Sequence, residues 1–282
     1  MEVIGNLQLM QERSLALRKE GKIIGFVPTM GYLHEGHLSL IRKAREETEV
    51  VVVSIYVNPT QFGPGEDFDR YPRDLERDRS ILENERVDIL FAPSDKDMYP
   101  PDFSTYVEET KISQRWEGER RPGHFRGVTT IVAKLFNIVL PHRAYFGEKD
   151  WQQAKIIKRM VRDLNFPVEI IVLPTVREKD GLACSSRNTY LSPQAREKAT
   201  SIYKTLKKGE EWLRKGWGHK EILEKMKKEL EEIPGLELEY LVLVDPDTLE
   251  PLQNIQKENL FLIACRVDGV RLIDNLCVKL EK

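Results

Sequence analysis

From residue 23 onward, short apolar runs alternate with longer stretches of mixed charge. Ile23-Ile24-Gly25-Phe26-Val27 is followed by a loop containing Pro and Gly, then by helical spacing over residues 37–47, then by Val50-Val51-Val52-Val53-Ser54-Ile55-Tyr56-Val57. A nearly continuous β-branched run bounded by turn residues reads as a strand buried on both faces, and strand, helix, strand is the βαβ unit of a parallel sheet. The alternation continues with a charged helix at 74–84, a strand at 87–91, a mostly apolar helix at 128–139 and a short strand at 144–146. A helix at 151–164 follows, with Ile157, Met160, Val161 and Leu164 on one stripe, and then a strand at 168–173. The expected architecture is α/β, a Rossmann-like doubly wound parallel sheet of about five strands.

After Pro174 the pattern changes. A long charged helix over 193–215 opens with Ser192 as N-cap and Pro193 at its first position, and a second helix at 220–233 stops at Pro234-Gly235. Three strand-like runs follow at 238–244, 260–266 and 271–278, with Asp268-Gly269 as a hairpin turn between the last two. Helices followed by antiparallel strands predict a smaller C-terminal α+β domain, residues 177–282, beside a first domain of residues 1–176.

Composition narrows the class. The chain has 282 residues, more than the roughly 100–200 of one ordinary domain. Its 44 Lys and Arg are nearly cancelled by 46 Asp and Glu, so there is no basic excess for a nucleic-acid backbone and no nucleic-acid partner is expected. The longest apolar candidate, residues 129–140, contains Lys134 and Asn137 and falls short of the ~18 residues of a membrane span. No basic leader precedes an apolar stretch at the N-terminus, so the expectation is a cytoplasmic protein with no membrane partner. The cysteines Cys184, Cys265 and Cys277 are odd in number and widely spaced, as reduced thiols would be.

The segment with most chemical content is Pro28-Thr29-Met30-Gly31-Tyr32-Leu33-His34-Glu35-Gly36-His37, directly after the first strand and running into the first helix of a βαβ unit. Ligands of open α/β sheets bind outside the carboxyl ends of the strands, where a helix N-terminus offers unpaired N–H groups and the positive end of its dipole. Gly31 and Gly36 permit close approach of backbone to ligand, and His34 and His37 add donors to a phosphate site. With five histidines in the whole chain, two at one helix start favour function over a mutually satisfied pair; a metal pair is the other reading.

His34-Glu35-Gly36-His37 resembles the HIGH motif of the class I aminoacyl-tRNA synthetase and nucleotidylyltransferase superfamily, and the string from Pro28 to His37 resembles the pantothenate synthetase family. Further matches lie in that family's order: Asn58-Pro59-Thr60-Gln61-Phe62, Tyr71-Pro72-Arg73, residues 121–128 beginning Arg121-Pro122-Gly123-His124, residues 146–153 containing Gly147-Glu148-Lys149-Asp150, and Ser185-Ser186-Arg187-Asn188. The resemblance implies an ATP-dependent ligase. The carboxylate of (R)-pantoate attacks the α-phosphate of ATP to give pantoyl adenylate and pyrophosphate; β-alanine then displaces AMP to give pantothenate. In-line phosphoryl transfer of this kind depends on positioning and charge neutralisation more than on covalent help.

Residue by residue, the resemblance implies that Met30, Gly31, Tyr32, Leu33, His34, Glu35, Gly36 and His37 contact ATP. His37 matches the family's acid or proton donor, a role that combines stabilisation of transition-state charge with proton donation. Gly147, Glu148, Lys149 and Asp150 match its nucleotide segment, with Lys149 on the α-phosphate side. Val176 would line the adenine pocket through its backbone. Cys184, Ser185, Ser186 and Arg187 match a degenerate KMSKS loop for the β- and γ-phosphates, carried on a domain that would act as a lid. His34, His37, Lys149 and Arg187 form the catalytic set. Gln61 and Gln153, with Asn58, would bind pantoate and β-alanine, each amide offering a donor and an acceptor without a repelling charge. The resemblance also implies Mg2+, with its protein ligands unassigned, and a homodimer.

Three positions depart from the family's usual pattern: Tyr32 replaces a small residue, Cys184 an apolar one and Trp151 another aromatic. Residues 67–78 read as a charged loop leading to a solvated helix face, although the family places carboxylates near magnesium in this region. The stretch 120–126 either steers anionic substrates or is a helix-start loop. Oxidation of Cys184, beside the phosphate loop, would impair ATP binding. Two other functions compete with the ligase. An adenylyltransferase that adds AMP to a phosphate ester calls for extra basic residues in its acceptor pocket, where Gln61 and Gln153 stand. A nucleotide sensor without turnover has no need of both histidines, Lys149 and Arg187.

Overall fold

The computed structural model describes residues 1–280, which form two compact units, residues 1–148 with 152–174, and residues 149–151 with 175–280. In chain order the first unit holds β1 (Glu2–Ile4), α1 (Leu7–Lys19), β2 (Ile24–Thr29), α2 (Glu35–Glu47), β3 (Val50–Ile55), α3 (Leu75–Asn84), β4 (Ile89–Phe91), α4 (Asp95–Met98), α5 (Glu117–Arg120), α6 (His124–Val139), β5 (Arg143–Gly147), α7 (Trp151–Asp163) and β6 (Glu169–Leu173), except that Trp151 groups with the second unit. The six strands form one parallel sheet in the order β1-β4-β3-β2-β5-β6. The β-branched run 50–53 lies in its middle and is fully buried, as its composition requires.

The strand order reverses between β2 and β5, which pair at Gly25↔Arg143 and Phe26↔Ala144. Both strands therefore end side by side at the switch point, where β2 runs into residues 30–34 and β5 into Glu148. Val27, Leu33, Leu40, Ile41, Ala44, Val51, Val53, Leu82 and Leu90 make one continuous core from β2, β3, β4, α2 and α3. Leu33 thus ties the loop after β2 into the core at 1% exposure.

In the second unit, α8 (Pro193–Arg214) and α9 (His219–Glu231) precede an antiparallel sheet β7 (Leu236–Val244), β8 (Glu258–Val267) and β9 (Val270–Lys279), in that order. Ser192 caps α8 by accepting the Ala195 N–H, with Pro193 at the first helical position. Ala199, Ile202, Leu206, Ile222, Met226, Leu230, Leu241, Phe261 and Ile263 form its core. Asp268 and Gly269 both take positive φ, the conformation that a two-residue hairpin turn requires.

The parallel sheet has six strands where about five were expected. The missing elements are β1 and α1. A three-residue strand is too short to show a period, and α1 leaves Leu9 and Leu15 exposed, which blurs its apolar stripe. The helix expected at 128–139 starts four residues earlier, at His124, after Gly123 in the left-handed conformation. No helix among the described residues is long and apolar enough to cross a membrane.

Candidate active site

The chain between β2 and α2 turns through a strained pair of residues. Gly31 and Tyr32 both have positive φ, at 79° and 50°, and two successive residues in that region cost energy wherever the second carries a Cβ. The turn is held by Asp78 from α3. Its two carboxylate oxygens accept the N–H of Tyr32 at 2.6 Å and of Leu33 at 2.8 Å. Arg77 closes the cluster by pairing with Asp78 at 3.1 Å, donating to the Leu33 carbonyl at 2.8 Å and lying 4.8 Å from the Tyr32 ring. A Cβ on Gly31 would meet Ile55 at 2.9 Å and Asp78 at 3.1 Å, so the position must be glycine for space as well as φ. Burial pushes the Asp78 carboxyl above its usual range, against the pull of the two N–H donors and Arg77. Asp78 is 1% exposed, so residues 67–78 do not lead to a purely solvated face as expected.

The turn delivers the chain to α2 with His34 as N-cap. His34 Nδ1 accepts the Gly36 N–H at 3.1 Å, and His37 Nδ1 accepts the His34 N–H at 3.2 Å, a capping box made of two imidazoles. With Nδ1 an acceptor in both rings, the proton of each neutral imidazole sits on Nε2. The rings lie 4.0 Å apart between centroids. Glu35 is exposed and paired with Arg42.

A second cluster surrounds Gln61, in the 3-10 turn Pro59–Gln61. Its amide donates to Met30 Sδ at 3.0 Å and accepts from Asn58 Nδ2 at 3.2 Å, so Met30, Asn58 and Gln61 meet in one place. Asn58, 1% exposed, also donates to the Gly127 carbonyl and accepts from Tyr99 and Thr60 hydroxyls. A Cβ on Gly127 would lie 2.3 Å from the Thr60 carbonyl oxygen, so glycine lets α6 approach this turn. The Gln61 carbonyl accepts from His124 Nδ1 at 2.7 Å and Arg121 at 3.3 Å, while Arg121 pairs with Glu66 through two contacts of 2.7 Å. Arg121 also contacts His124 Nε2 at 3.1 Å. A guanidinium only donates, so Nε2 accepts and the proton of His124 is on Nδ1. Burial, with the charge of Arg121, pushes His124 down to about 4. Of the two readings of 120–126, this is the helix-start loop: Arg121 is committed to Glu66 and to holding Gln61. Gln153 is half-buried in the first turn of α7, and its neighbour Gln152 is spent on the backbone of Ile112, Arg115 and Glu117.

The remaining candidates divide between the units. Gly147 ends β5 opposite Leu173, and Glu148 begins the 3-10 turn Glu148–Asp150. Lys149 and Asp150 group with the second unit and pair at 3.7 Å. The Val176 carbonyl accepts the Cys184 N–H at 3.0 Å, closing a hairpin, and Ser185 Oγ accepts the Arg187 N–H at 3.3 Å, opening the 3-10 turn Ser186–Tyr190. Cys184 is buried, which withdraws the thiol from the exposure that oxidation needs. Among the described residues no three His, Cys, Asp or Glu side chains converge on a point where a metal could sit.

A doubly wound sheet with a histidine-capped helix at its switch point and a separate unit bearing a Ser-Ser-Arg turn has the build of a nucleotide-handling enzyme. The chain belongs to the pantoate-beta-alanine ligase family, whose sequence model matches residues 2–277. It is 57% identical over 276 residues to the pantothenate synthetase of Thermotoga petrophila, covering 98% of this chain and 99% of that one. Among solved structures it is similar to the pantothenate synthetase of Thermus thermophilus, at 50% identity and a TM-score of 0.93 over 98% of this chain and 99% of the other. It is also similar to the pantoate-beta-alanine ligase of Francisella tularensis, solved with beta-gamma ATP and beta-alanine, at 38% identity and a TM-score of 0.81 over 98% and 97%.

Asp78 and His124 are supports of the candidate site that the sequence did not single out, and Arg121 belongs with them on the helix-start reading of its segment. Asp78→Asn keeps the volume but turns an NH2 toward one of the two backbone N–H groups. It is expected to lower unfolding stability by about 2–3 kcal/mol and to raise the KM for ATP; an unchanged melting temperature and KM would show that Asp78 does not hold the loop. For His124 the folded pKa of about 4 lies below the ordinary 6.5. Between these values the unfolded chain binds more protons, so the stabilisation is complete above pH 6.5 and is lost as pH falls toward 4. The loss attributable to this group is on the order of 3 kcal/mol. Denaturant titrations from about pH 7 to about pH 4 should show a shallower pH slope in His124→Asn than in the parent chain; identical slopes would contradict the assignment.

Proposed function

We propose that the chain catalyses ATP-dependent condensation of (R)-pantoate with β-alanine to pantothenate, releasing AMP and pyrophosphate. Family membership over residues 2–277 sets the reaction class, and the observation that carries the site assignment is the tied histidine pair. Because α2's own backbone N–H groups occupy both Nδ1 atoms, His34 and His37 present Nε2–H donors beside a helix N-terminus. That arrangement suits a triphosphate.

In the first step a pantoate carboxylate oxygen bonds to the α-phosphorus as the bond to the pyrophosphate oxygen breaks. His37 and Lys149 stabilise the charge that builds on the phosphoryl oxygens, and His34 with Ser185, Ser186 and Arg187 holds the outer phosphates. Within residues 30–37 the imidazoles and the α2 start meet the phosphates, while Leu33, with its side chain in the core and its N–H on Asp78, shapes the loop around the nucleotide. Gly147, Glu148, Asp150, Val176 and Cys184 complete the nucleotide contacts. Gln61 and Gln153 hold pantoate by its hydroxyls and carboxylate, and Asn58 orients Gln61. In the second step the neutral β-alanine nitrogen adds to the acyl carbon, loses a proton, and expels AMP as the carbon–oxygen bond breaks. Magnesium is expected as a companion of the phosphates, where it is commonly held by substrate oxygens and water with one or two carboxylates, and the described residues offer no cluster of three metal-ligating side chains that would hold it alone. When bound, it supplies charge neutralisation on the phosphates. We assign the enzyme to the cytoplasm, as a homodimer.

AMP production that requires pantoate, β-alanine and Mg·ATP together tests the reaction, and its absence with every substrate present would overturn it. His37→Ala and Lys149→Ala are each expected to slow pantoyl-adenylate formation by about 10²- to 10³-fold. Gln61→Ala should raise the KM for pantoate by about tenfold, the worth of one hydrogen bond. Normal adenylate formation by the two phosphate-site variants would contradict this division of roles.

A further inference from the structure

Two adjacent polar residues, Asp274 and Asn275, are buried to 5% exposure in the middle of β9, with Leu272, Ile273 and Leu276 around them. Successive residues of a strand face opposite sides, and the β8 residues opposite them are Ile263 and Leu262. Apolar side chains would satisfy that setting at no desolvation cost. What the polar pair does instead is hold two separate segments of the second unit.

Asp274 accepts both guanidinium nitrogens of Arg177, at 2.7 and 2.9 Å, while Arg177 also donates to the Asn275 carbonyl at 3.3 Å and the Gly181 carbonyl at 3.2 Å. The other face of Arg177 stacks 3.7 Å from the Tyr203 ring. Arg177 begins the hairpin, bridged at Arg177↔Ala183, whose far strand leads into Ser185, Ser186 and Arg187. Asn188 completes this anchor by donating to the Ala183 carbonyl at 3.0 Å and to Glu178 at 2.9 Å. One residue along β9, Asn275 Nδ2 donates to the Lys149 carbonyl at 2.9 Å. Trp151 adds a second attachment for the same short segment, its indole N–H donating to the Pro246 carbonyl at 3.0 Å. The Asn275 backbone N–H donates to Asp274 Oδ1 at 2.8 Å, which ties the two anchoring residues to each other.

We propose that Asn275 is a positioning residue for the first chemical step: with Asp274 it fixes Lys149 in register with the Ser185–Arg187 turn, so that the two cationic segments act as one piece. The inference rests on the phosphate role given to Lys149 under the proposed function. Asn275 touches no substrate. Its effect passes through the backbone of Lys149, and a displacement of about 1 Å at a phosphate-facing cation is enough to cost up to about a hundredfold in rate.

The test is a double-mutant cycle on pantoate-dependent ATP–pyrophosphate exchange. Asn275→Leu keeps the branched outline of the side chain and removes the donor; Asn275→Ala, which adds no bulk, serves if the leucine variant does not fold, with circular dichroism and melting temperature recorded for each. Asn275→Leu is expected to lower the exchange kcat by about ten- to a hundredfold in the parent chain and to change it less than about twofold in a Lys149→Ala background. Equal losses in both backgrounds, or no loss in the parent, would overturn the positioning role, because a merely structural residue acts independently of the Lys149 ammonium. If Lys149→Ala itself exchanges at the parent rate, the phosphate role of Lys149 fails, and the inference falls with it.

Discussion

The N–H groups of Tyr32 and Leu33 both end on the buried carboxylate of Asp78, and the geometry of the first unit's site follows from that contact. A turn with two consecutive positive-φ residues leaves adjacent N–H groups pointing the same way, an arrangement that attracts anions. Here the protein supplies the anion itself. The loop is thereby set before any ligand arrives, and the start of α2 falls where His34 and His37 can close a capping box on each other. Leu33 locks the same loop into the sheet core from the opposite side. An ionised carboxylate in such a place is costly to bury, and the two backbone donors with Arg77 offset part of the cost. On the proposed function, phosphate binding is then left to the imidazoles and the helix end.

The same logic of spending polar groups on position recurs elsewhere. Asn58, His124 and Arg121 are committed to other protein groups, and their common object is the carbonyl and amide of Gln61. In the second unit Asp274 and Asn275 serve Arg177 and Lys149. In each case a small number of groups proposed to meet substrate is surrounded by a larger number that keeps them still. A low net charge is compatible with binding a polyanion on these terms, since many cations here are already paired inside the protein.

The βαβ pattern, the buried run 50–53 and the long capped helix α8 were legible because each displays a period or a cap within a short window. β1 and α1 were not, since three residues show no period and α1 exposes part of its apolar set. The histidine pair, Gln61 and Lys149 were proposed from motifs, which name groups but not their supports. Asp78 looked like one more charge on a charged helix; only its partners, 46 and 45 positions earlier in the chain, reveal it as an internal ligand. Asn275 lies 126 positions from the residue it holds, a contact that no local pattern encodes. The two readings of Arg121, anion steering or a helix-start loop, stayed open in the sequence because its neutralising partner, Glu66, is 55 positions distant.

The central claim is that Asp78 consumes the loop's N–H groups, so that phosphate is met by His34, His37 and the α2 start. The most direct measurement is a crystal structure of this chain with a non-hydrolysable ATP analogue and pantoate. The account predicts phosphate oxygens within hydrogen-bond distance of His34 and His37 Nε2, with the Tyr32 and Leu33 N–H groups still on Asp78. A triphosphate bound away from the histidines, or one that takes those two N–H groups from Asp78, would contradict it.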